Sequence, residues 1–102
     1  MKTIITLKEL ADITGVSSVV IKNWGKKGLV HAEISMRPSC RGTDRTYGLD
    51  AIGRVRFIKK FREEGDSFDD IKAYFSDRLY EGINEEEVEE EVWKYRFKES
   101  ER

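Results

Sequence analysis

The sequence predicts a small, mainly α-helical fold in the order helix, helix, β-hairpin, helix, helix, followed by a short acidic helix at the C-terminal end. Two observations support this order. Helix-capping residues precede runs of apolar residues at helical spacing, and glycines follow several of these runs. Between the second and third runs, residues 29–48 lack helical periodicity and contain proline, glycine and aspartate. We expect one domain over residues 1–80 and an acidic, aromatic helix over residues 81–102.

The first two helices have the pattern of a helix-turn-helix. Thr6 and Glu9 have the spacing of a capping box, and Gly15 ends this first short helix. Ser17 can cap a second helix, and Gly28 ends it. Only a few residues separate the two helices, as in the turn of a helix-turn-helix motif.

The remaining segments are marked in the same way. Residues 29–48 are expected to form a β-hairpin, or wing. A third helix begins near Leu49 and ends at Gly65, and a fourth is capped by Ser67. The last helix begins at Asn84, where three glutamates complement the positive end of the helix dipole.

Cysteine and histidine are too scarce for several classes of protein. Cys40 and His31 are the only residues of their kinds, so the chain is neither a disulfide-stapled scaffold nor a Cys-rich zinc module. No metal site, no cofactor and no enzymatic centre are expected, because a nucleophile, a base and an orienting group cannot be assembled from these residues. No segment approaches the ~20 apolar residues of a membrane span, and a cytoplasmic protein is expected.

Charge is divided unevenly along the chain. Residues 1–62 contain 13 Lys and Arg against 5 Asp and Glu, a net charge of +8. Residues 63–102 contain 6 against 15, a net charge of −9. The basic half suits a polyanion, whereas the acidic half is repelled by one. Chance clustering of charge on solvated faces is the alternative.

The second helix has two faces of different character. Val20, Ile21 and Trp24 lie within one arc and are expected to pack on the first helix. The opposite arc carries residue types that suit a DNA major groove: Ser18, Val19, Lys22, Asn23 and Lys26. Ser17 and Ser18 stand at the helix N-terminus, where a backbone phosphate can bind. The alternative is that this arc is an ordinary solvated face.

Two segments, "ITLKELADITGVSSVVIKNWGKKGLV" and "RTYGLDAIGRVRFIKKFREEGDSFDDIKAYF", resemble the N-terminal DNA-binding domain of the MerR family of bacterial transcription regulators. The resemblance covers residues 4 to about 78. It implies a winged helix-turn-helix that binds palindromic double-stranded DNA as a homodimer, with helix 17–27 in the major groove and wing 30–48 on the backbone. It also implies a cytoplasmic, nucleoid-associated regulator, here without a separate effector domain.

Several functional residues carry over from this resemblance. Lys22 takes the place of the family's basic residue in the recognition helix, and Asn23 and Trp24 take the place of its aromatic pair. Arg45 and Tyr47 match an Arg-x-Tyr motif, in which the arginine contacts phosphate and the tyrosine supports the wing or reaches the backbone. Trp24 can either pack in the core or donate its indole N–H to a phosphate.

The sequence departs from the family pattern at three places. Asn23 is not aromatic, and Gly25 replaces the usual acidic residue. The hairpin tip is longer than usual, and its Arg37 and Arg41 are expected to extend the contact with DNA. On the third helix, five basic residues are candidates for phosphate contacts, and we select Lys59 and Lys60 from them.

The C-terminal segment has two apolar stripes at helical spacing. The residues expected to contact a second copy or another protein are Val88, Val92, Trp93, Tyr95 and Phe97. Two further possibilities are that this segment alternates as a strand, or that it folds back over Phe68 and Tyr74.

Two other functions are compatible with the sequence. One is a DNA-bending architectural protein of the excisionase type. The other is a MerR-like protein-interaction module of the chaperone-modulator type, which has no reason to keep Lys22, Arg45 and the basic half.

Overall fold

A computed structural model of the chain describes residues 3–32 and 45–101. This part of the chain is mainly α-helical, with a small antiparallel sheet of two strands. The elements in order are β1 (Ile4–Thr6), α1 (Leu7–Thr14), α2 (Ser18–Lys26), β2 (Thr46–Gly48), α3 (Asp50–Glu63), α4 (Phe68–Ser76) and α5 (Glu85–Ser100). The predicted order of five helices is confirmed. None of the described helices is both long and apolar enough to cross a membrane.

The helix-turn-helix forms where the capping residues predict it. Thr6 Oγ1 accepts a hydrogen bond from the Glu9 N–H at 3.1 Å, and the Glu9 carboxylate accepts one from the Thr6 N–H at 3.0 Å. Ser17 Oγ accepts from the Val20 N–H at 3.3 Å and starts α2. Gly15 and Gly28 have φ angles of +74° and +78°, a backbone region that favours glycine, and they follow α1 and α2.

The last two helices are also capped as predicted. Ser67 forms a capping box with Asp70 at the start of α4. Asn84 Oδ1 accepts a hydrogen bond from the Glu87 N–H at 3.3 Å and starts α5. The C-terminal segment is therefore helical, and the strand alternative is wrong.

The small sheet pairs β1, which directly precedes α1, with β2, which lies shortly before α3. Ile5 lies opposite Tyr47, and both side chains are buried. We expected residues 46–48 to pair within a hairpin, but in the described residues β2 pairs with β1, a strand that was not predicted. Three residues directly before a helix cap are too few to show an alternating pattern. The rest of the predicted hairpin, residues 33–44, lies outside the described residues.

A single core holds the helices and the sheet together. Side chains from every described helix and from both strands contribute to it. Those that are fully buried include Ile5, Leu10, Ile21, Leu29, Ile52, Val55, Ile58, Ile71 and Val92. Since α2 contributes only one side of its surface, its opposite side is left outside the core.

The C-terminal helix folds back onto its own domain. Val88 and Val92 are buried, and α5 packs against α1. The prediction that these two valines contact a second chain is therefore wrong, because the chain's own core covers them. The alternative that this segment folds back onto its own domain is confirmed. However, α5 packs against α1 rather than over Phe68 and Tyr74.

Polar contacts fix the orientation of α5. Arg96 forms a 2.7 Å ion pair with Glu9 and donates to the Ile4 carbonyl at 2.8 Å. Arg56 and Glu91 form an ion pair at 2.6 Å, and Thr3 donates to Glu89 at 2.7 Å. These contacts join α5 to β1, α1 and α3.

Tyr95 also holds α5 in place. Its hydroxyl donates a hydrogen bond to the carboxylate of Asp12 on α1. This bond and partial burial raise the pKa of Tyr95 to about 12. Tyr95 is thus tied to its own domain, and its predicted role as a contact with another chain loses support.

Candidate nucleic-acid interface

The outer face of α2 is the main candidate surface. Ile21 and Trp24 anchor the opposite face in the core, and Val20 is half-buried. The predicted outward arc is accessible: Val19 is 65% exposed, and Lys22, Asn23 and Lys26 are exposed as well. Val19 is one of five large apolar side chains that are exposed among the described residues, and it lies on the same arc as the two lysines.

Two of the predicted site residues belong to the core instead. Trp24 is only 6% exposed, so the structure supports the packing alternative and not the phosphate contact. Tyr47 is 2% exposed and pairs with Ile5 across the sheet, so it supports the sheet rather than reaching DNA. The neighbouring Arg45 is exposed, and its contact with a phosphate stays a prediction.

The N-terminus of α2 offers donors to an anion. Ser17 is exposed, and its oxygen accepts the capping hydrogen bond, which leaves its O–H able to donate. Ser18, the first residue of the helix, is half-buried. The first turn contains no acidic residue, so no side chain of the turn neutralises the positive end of the dipole.

Arg45 lies beside the C-terminal half of α2. Its Nη1 atom is 4.0 Å from the position that a Cβ on Gly25 would occupy. An open cleft of about 260 Å³ lies here, lined by Gly25, Lys26, Val30, His31, Ala32, Arg45 and Tyr47. Because position 25 is glycine, no acidic side chain at this position competes for the Arg45 guanidinium.

The two predicted lysines of α3 point to different places. Lys59 is half-buried, and its ammonium lies 3.6 Å from the Cβ position of Gly15, beside the turn of the helix-turn-helix. Lys60 is exposed and lines a separate cleft with residues 79–82. Neighbouring helical residues lie about 100° apart around the axis, so adjacency in sequence does not give a shared face. Of the two, Lys59 is the one near α2.

The three arginines of α3 have partners within the protein. Arg54 Nε donates to the Leu29 carbonyl at 3.1 Å, and its guanidinium lies 4.0 Å from the ring centre of Phe75. Arg56 pairs with Glu91, and Arg62 donates to the Asp66 carbonyl at 2.9 Å. Arg54 thereby holds the segment that leaves α2 against α3 and α4.

Two lysines near α2 were not selected from the sequence. Lys27 directly follows the last residue of α2, and Lys72 belongs to α4. The Nζ and Cε atoms of Lys72 both lie 3.7 Å from the Cβ position of Gly28. No local pattern could place Lys72 there, because the contact depends on how α4 packs against the end of α2.

Three residues of the predicted wing have no place in this description. Arg37, Arg41 and Cys40 lie outside the described residues. Within residues 3–32 and 45–101, no group of three or more His, Cys, Asp or Glu side chains is arranged to hold a metal ion.

Comparison with known proteins agrees with this arrangement. The MerR HTH family of regulatory proteins matches residues 5–78. The chain is also 36% identical over 73 residues to a protein of Chromobacterium violaceum named HTH-type transcriptional activator SoxR homolog. This similarity covers 72% of the chain and 46% of the relative, so the chain spans about half the length of the relative it matches. Because the family match extends from β1 through α4 and covers most of the chain, the protein belongs to the MerR family of helix-turn-helix transcription regulators.

Proposed function

We propose that the protein is a sequence-specific, double-stranded DNA-binding transcription regulator that binds palindromic sites as a homodimer. Family membership supports the coarse function of DNA-binding regulation. The finer parts of the proposal are that helix 17–27 enters the major groove and that wing 30–48 contacts the backbone. The observation that carries them is the outer face of α2, which combines Val19, Asn23 and two lysines on a helix anchored from behind.

Each residue type on this face suits a different part of the DNA. Asn23 can form two hydrogen bonds with an adenine edge, and Val19 can contact a thymine methyl group. Lys22 can approach the acceptors of guanine or a phosphate, and Lys26 can neutralise a phosphate. Base recognition is thus assigned mainly to Asn23, Val19 and Lys22.

Backbone contacts surround this face. Ser17 and Ser18 bind a phosphate at the N-terminus of α2, and Arg45 binds another beside its C-terminal half. Lys59, beside the helix-turn-helix, contributes a further contact. Lys60, Arg37 and Arg41 remain proposed contacts of the predicted wider footprint.

The proposed dimer uses the outward stripe of α5. Trp93 and Phe97 are 56% and 65% exposed, although the other stripe of the helix is buried. They stand four positions apart, so they share one face of the helix and form a small apolar surface for a second copy. Two copies related by two-fold symmetry match a palindromic site.

Selection of bound duplexes from a random DNA pool at constant salt tests the proposal. The expected result is a palindromic consensus with a defined half-site spacing. In the same assay, Asn23→Ala should change preference at one base pair by about 1 to 3 kcal/mol, because its effect depends on the base. Lys26→Ala should weaken binding to all sequences alike. Failure of the wild-type protein to enrich any sequence would overturn the proposal.

A further inference from the structure

An open cleft lies between α3 and residues 77–84, the connection from α4 to α5. Its volume is about 460 Å³, larger than the cleft of about 260 Å³ beside Arg45. This size is within the range of small-molecule sites, which combine apolar walls with a few polar groups. The apolar part of the lining is formed by Phe57, Phe61 and Leu79, and the charged part by Arg56, Lys60 and Glu81.

The aromatic wall of the cleft is held in place by other side chains. The ring centre of Phe57 lies 4.6 Å from that of Phe61, 5.0 Å from that of Phe75 and 5.3 Å from that of Tyr80. Tyr80 is fixed in turn by the hydrogen bond from its hydroxyl to the Asp50 carboxylate at 3.1 Å. Because these rings support one another, the wall is formed before any ligand arrives.

Leu79 places an apolar side chain at the cleft without covering it. The α4 helix ends in a Schellman motif, in which the Leu79 N–H donates to the Tyr74 carbonyl at 2.9 Å and the Arg78 N–H donates to the Phe75 carbonyl at 3.3 Å. Arg78 has a φ of +61°, a left-handed conformation that glycine usually supplies. An apolar residue in the position of Leu79 frequently packs back onto the end of its own helix, yet Leu79 is 61% exposed. Its apolar surface is thus available at the cleft.

Two opposite charges at the cleft have no ion-pair partner among the described residues. Lys60 Nζ lies 5.8 Å from the ring centre of Phe61 and forms no ion pair within residues 3–32 and 45–101. Glu81 forms none in this part of the chain either, so the two side chains do not pair with each other. Arg56 differs, because Glu91 binds its guanidinium at 2.6 Å. The cleft therefore offers one ammonium and one carboxylate beside an apolar wall.

We propose that this cleft binds an apolar α-amino acid. The carboxylate of the ligand pairs with Lys60, and its ammonium pairs with Glu81. Its side chain lies against Phe57, Phe61 and Leu79. A simple anion or a simple cation satisfies only one of the two charges and is repelled by the other, whereas a zwitterion satisfies both. The cleft is separate from the outer face of α2, so this inference goes beyond the proposed function, and Lys60 alone belongs to both proposals.

Titration of the full chain with related compounds, in the absence of DNA, tests this site. The probe is L-phenylalanine; hydrocinnamate lacks its ammonium, phenethylamine lacks its carboxylate, and glycine lacks its apolar group. L-Phenylalanine should bind with a Kd on the order of 1 mM, as suits a ligand of this size in an open cleft. It should also shift the amide NMR signals of Gly53 and Gly82, which line the cleft. The other compounds should bind about threefold to fivefold more weakly.

Substitutions of exposed residues separate the two charges. Lys60→Gln should weaken the binding of L-phenylalanine about threefold to fivefold but should not weaken that of phenethylamine. Glu81→Gln should weaken the binding of L-phenylalanine to a similar extent but should not weaken that of hydrocinnamate. Leu79→Ser should weaken the binding of every aromatic probe. Lys94→Gln, which removes a 72% exposed lysine on α5, is the control and should bind like the wild type.

Two results would overturn the proposal. One is that L-phenylalanine fails to bind the wild type at concentrations on the order of 10 mM, or binds no more tightly than hydrocinnamate and phenethylamine. The other is that Lys60→Gln and Glu81→Gln both bind L-phenylalanine as the wild type does, because the ligand then lies elsewhere. Since the titrations contain no DNA, failure of the proposed function leaves their outcome unchanged.

Discussion

Gly53, in the first turn of α3, is a residue whose missing side chain decides how two segments pack. A Cβ at this position would overlap the Cγ2 atom of Ile83 and the hydroxyl of Tyr80. The hydroxyl of Tyr80 also bonds to the Asp50 carboxylate at 3.1 Å, and burial raises the pKa of this tyrosine. The connection between α4 and α5 therefore lies directly on the backbone of α3.

Replacing Gly53 by alanine is expected to destabilise the protein, although alanine favours helices. We expect Gly53→Ala to lower the free energy of unfolding by about 1 to 3 kcal/mol, because the overlap forces the loop away from α3. Gly25→Ala is the matched control, since a Cβ there meets the Val30 carbonyl at an ordinary 3.5 Å. It should be neutral or stabilising by up to ~1 kcal/mol. Denaturant unfolding of both variants measures this difference, and equal effects would contradict it.

The α5 helix illustrates how one element presents two apolar stripes to different surroundings. Periodicity predicts both stripes, one with Val88 and Val92 and the other with Trp93 and Phe97. In the structure, the first stripe joins the core and the second remains exposed. Periodicity alone cannot distinguish a stripe that packs on its own domain from one available to a partner.

Substitutions in the two stripes should therefore affect different properties. Val92→Ala should lower the free energy of unfolding by about 1 to 3 kcal/mol, because Val92 is completely buried. Phe97→Ala should change it by less than about 0.5 kcal/mol, since the side chain is exposed. Sedimentation at increasing concentration should instead show weaker self-association for Phe97→Ala, as the proposed dimer requires. Equal loss of stability in the two variants would mean that α5 is not docked as described.

Across the whole molecule, the uneven charge becomes an attraction between the two halves of the chain. Glu91 of the acidic half pairs with Arg56, while Arg96 pairs with Glu9 of the basic half. Hydrogen bonds from the arginines lower the pKa values of Glu9 and Glu91. Meanwhile Lys22, Asn23 and Lys26 stay exposed. The acidic helix is thus accommodated without covering the candidate DNA surface.

These lowered pKa values predict a loss of stability in acid. A carboxyl group whose pKa is lower in the folded state stabilises the fold above its ordinary value of 4.5 and loses this contribution as the pH falls through the folded value. Glu9→Gln keeps the capping hydrogen bond but removes the charge. It should cost ~1 kcal/mol near neutral pH and progressively less in acid.

Unfolding measured at several pH values between about 7 and 3 tests this prediction. Glu81→Gln is the control, since Glu81 is exposed, lies outside the helices and forms no ion pair with a described residue. A Glu9→Gln variant that loses as much stability in acid as the wild type would show that the Arg96 pair does not link α5 to the domain in solution.

The candidate site could be predicted from the sequence where its residues lie on one helix. Val19, Lys22, Asn23 and Lys26 share a face because helical geometry alone relates them. Trp24 and Tyr47 were assigned partly or wholly to DNA because aromatic residues suit both a core and an interface, and only their burial distinguishes the two roles. Lys72 could not be assigned at all from the sequence, since its neighbour Gly28 is 44 positions away.

In the fold, too, local features could be predicted from the sequence and long-range contacts could not. Helix starts and ends followed from the sequence, because capping involves residues within about four positions of each other, as at Thr6, Ser17 and Asn84. Tertiary packing decided the pairing of β1 with β2, the return of α5 onto α1 and the approach of Lys72 to Gly28. These contacts join segments far apart in the chain, and their free energy comes from surfaces that exist only once the helices have packed.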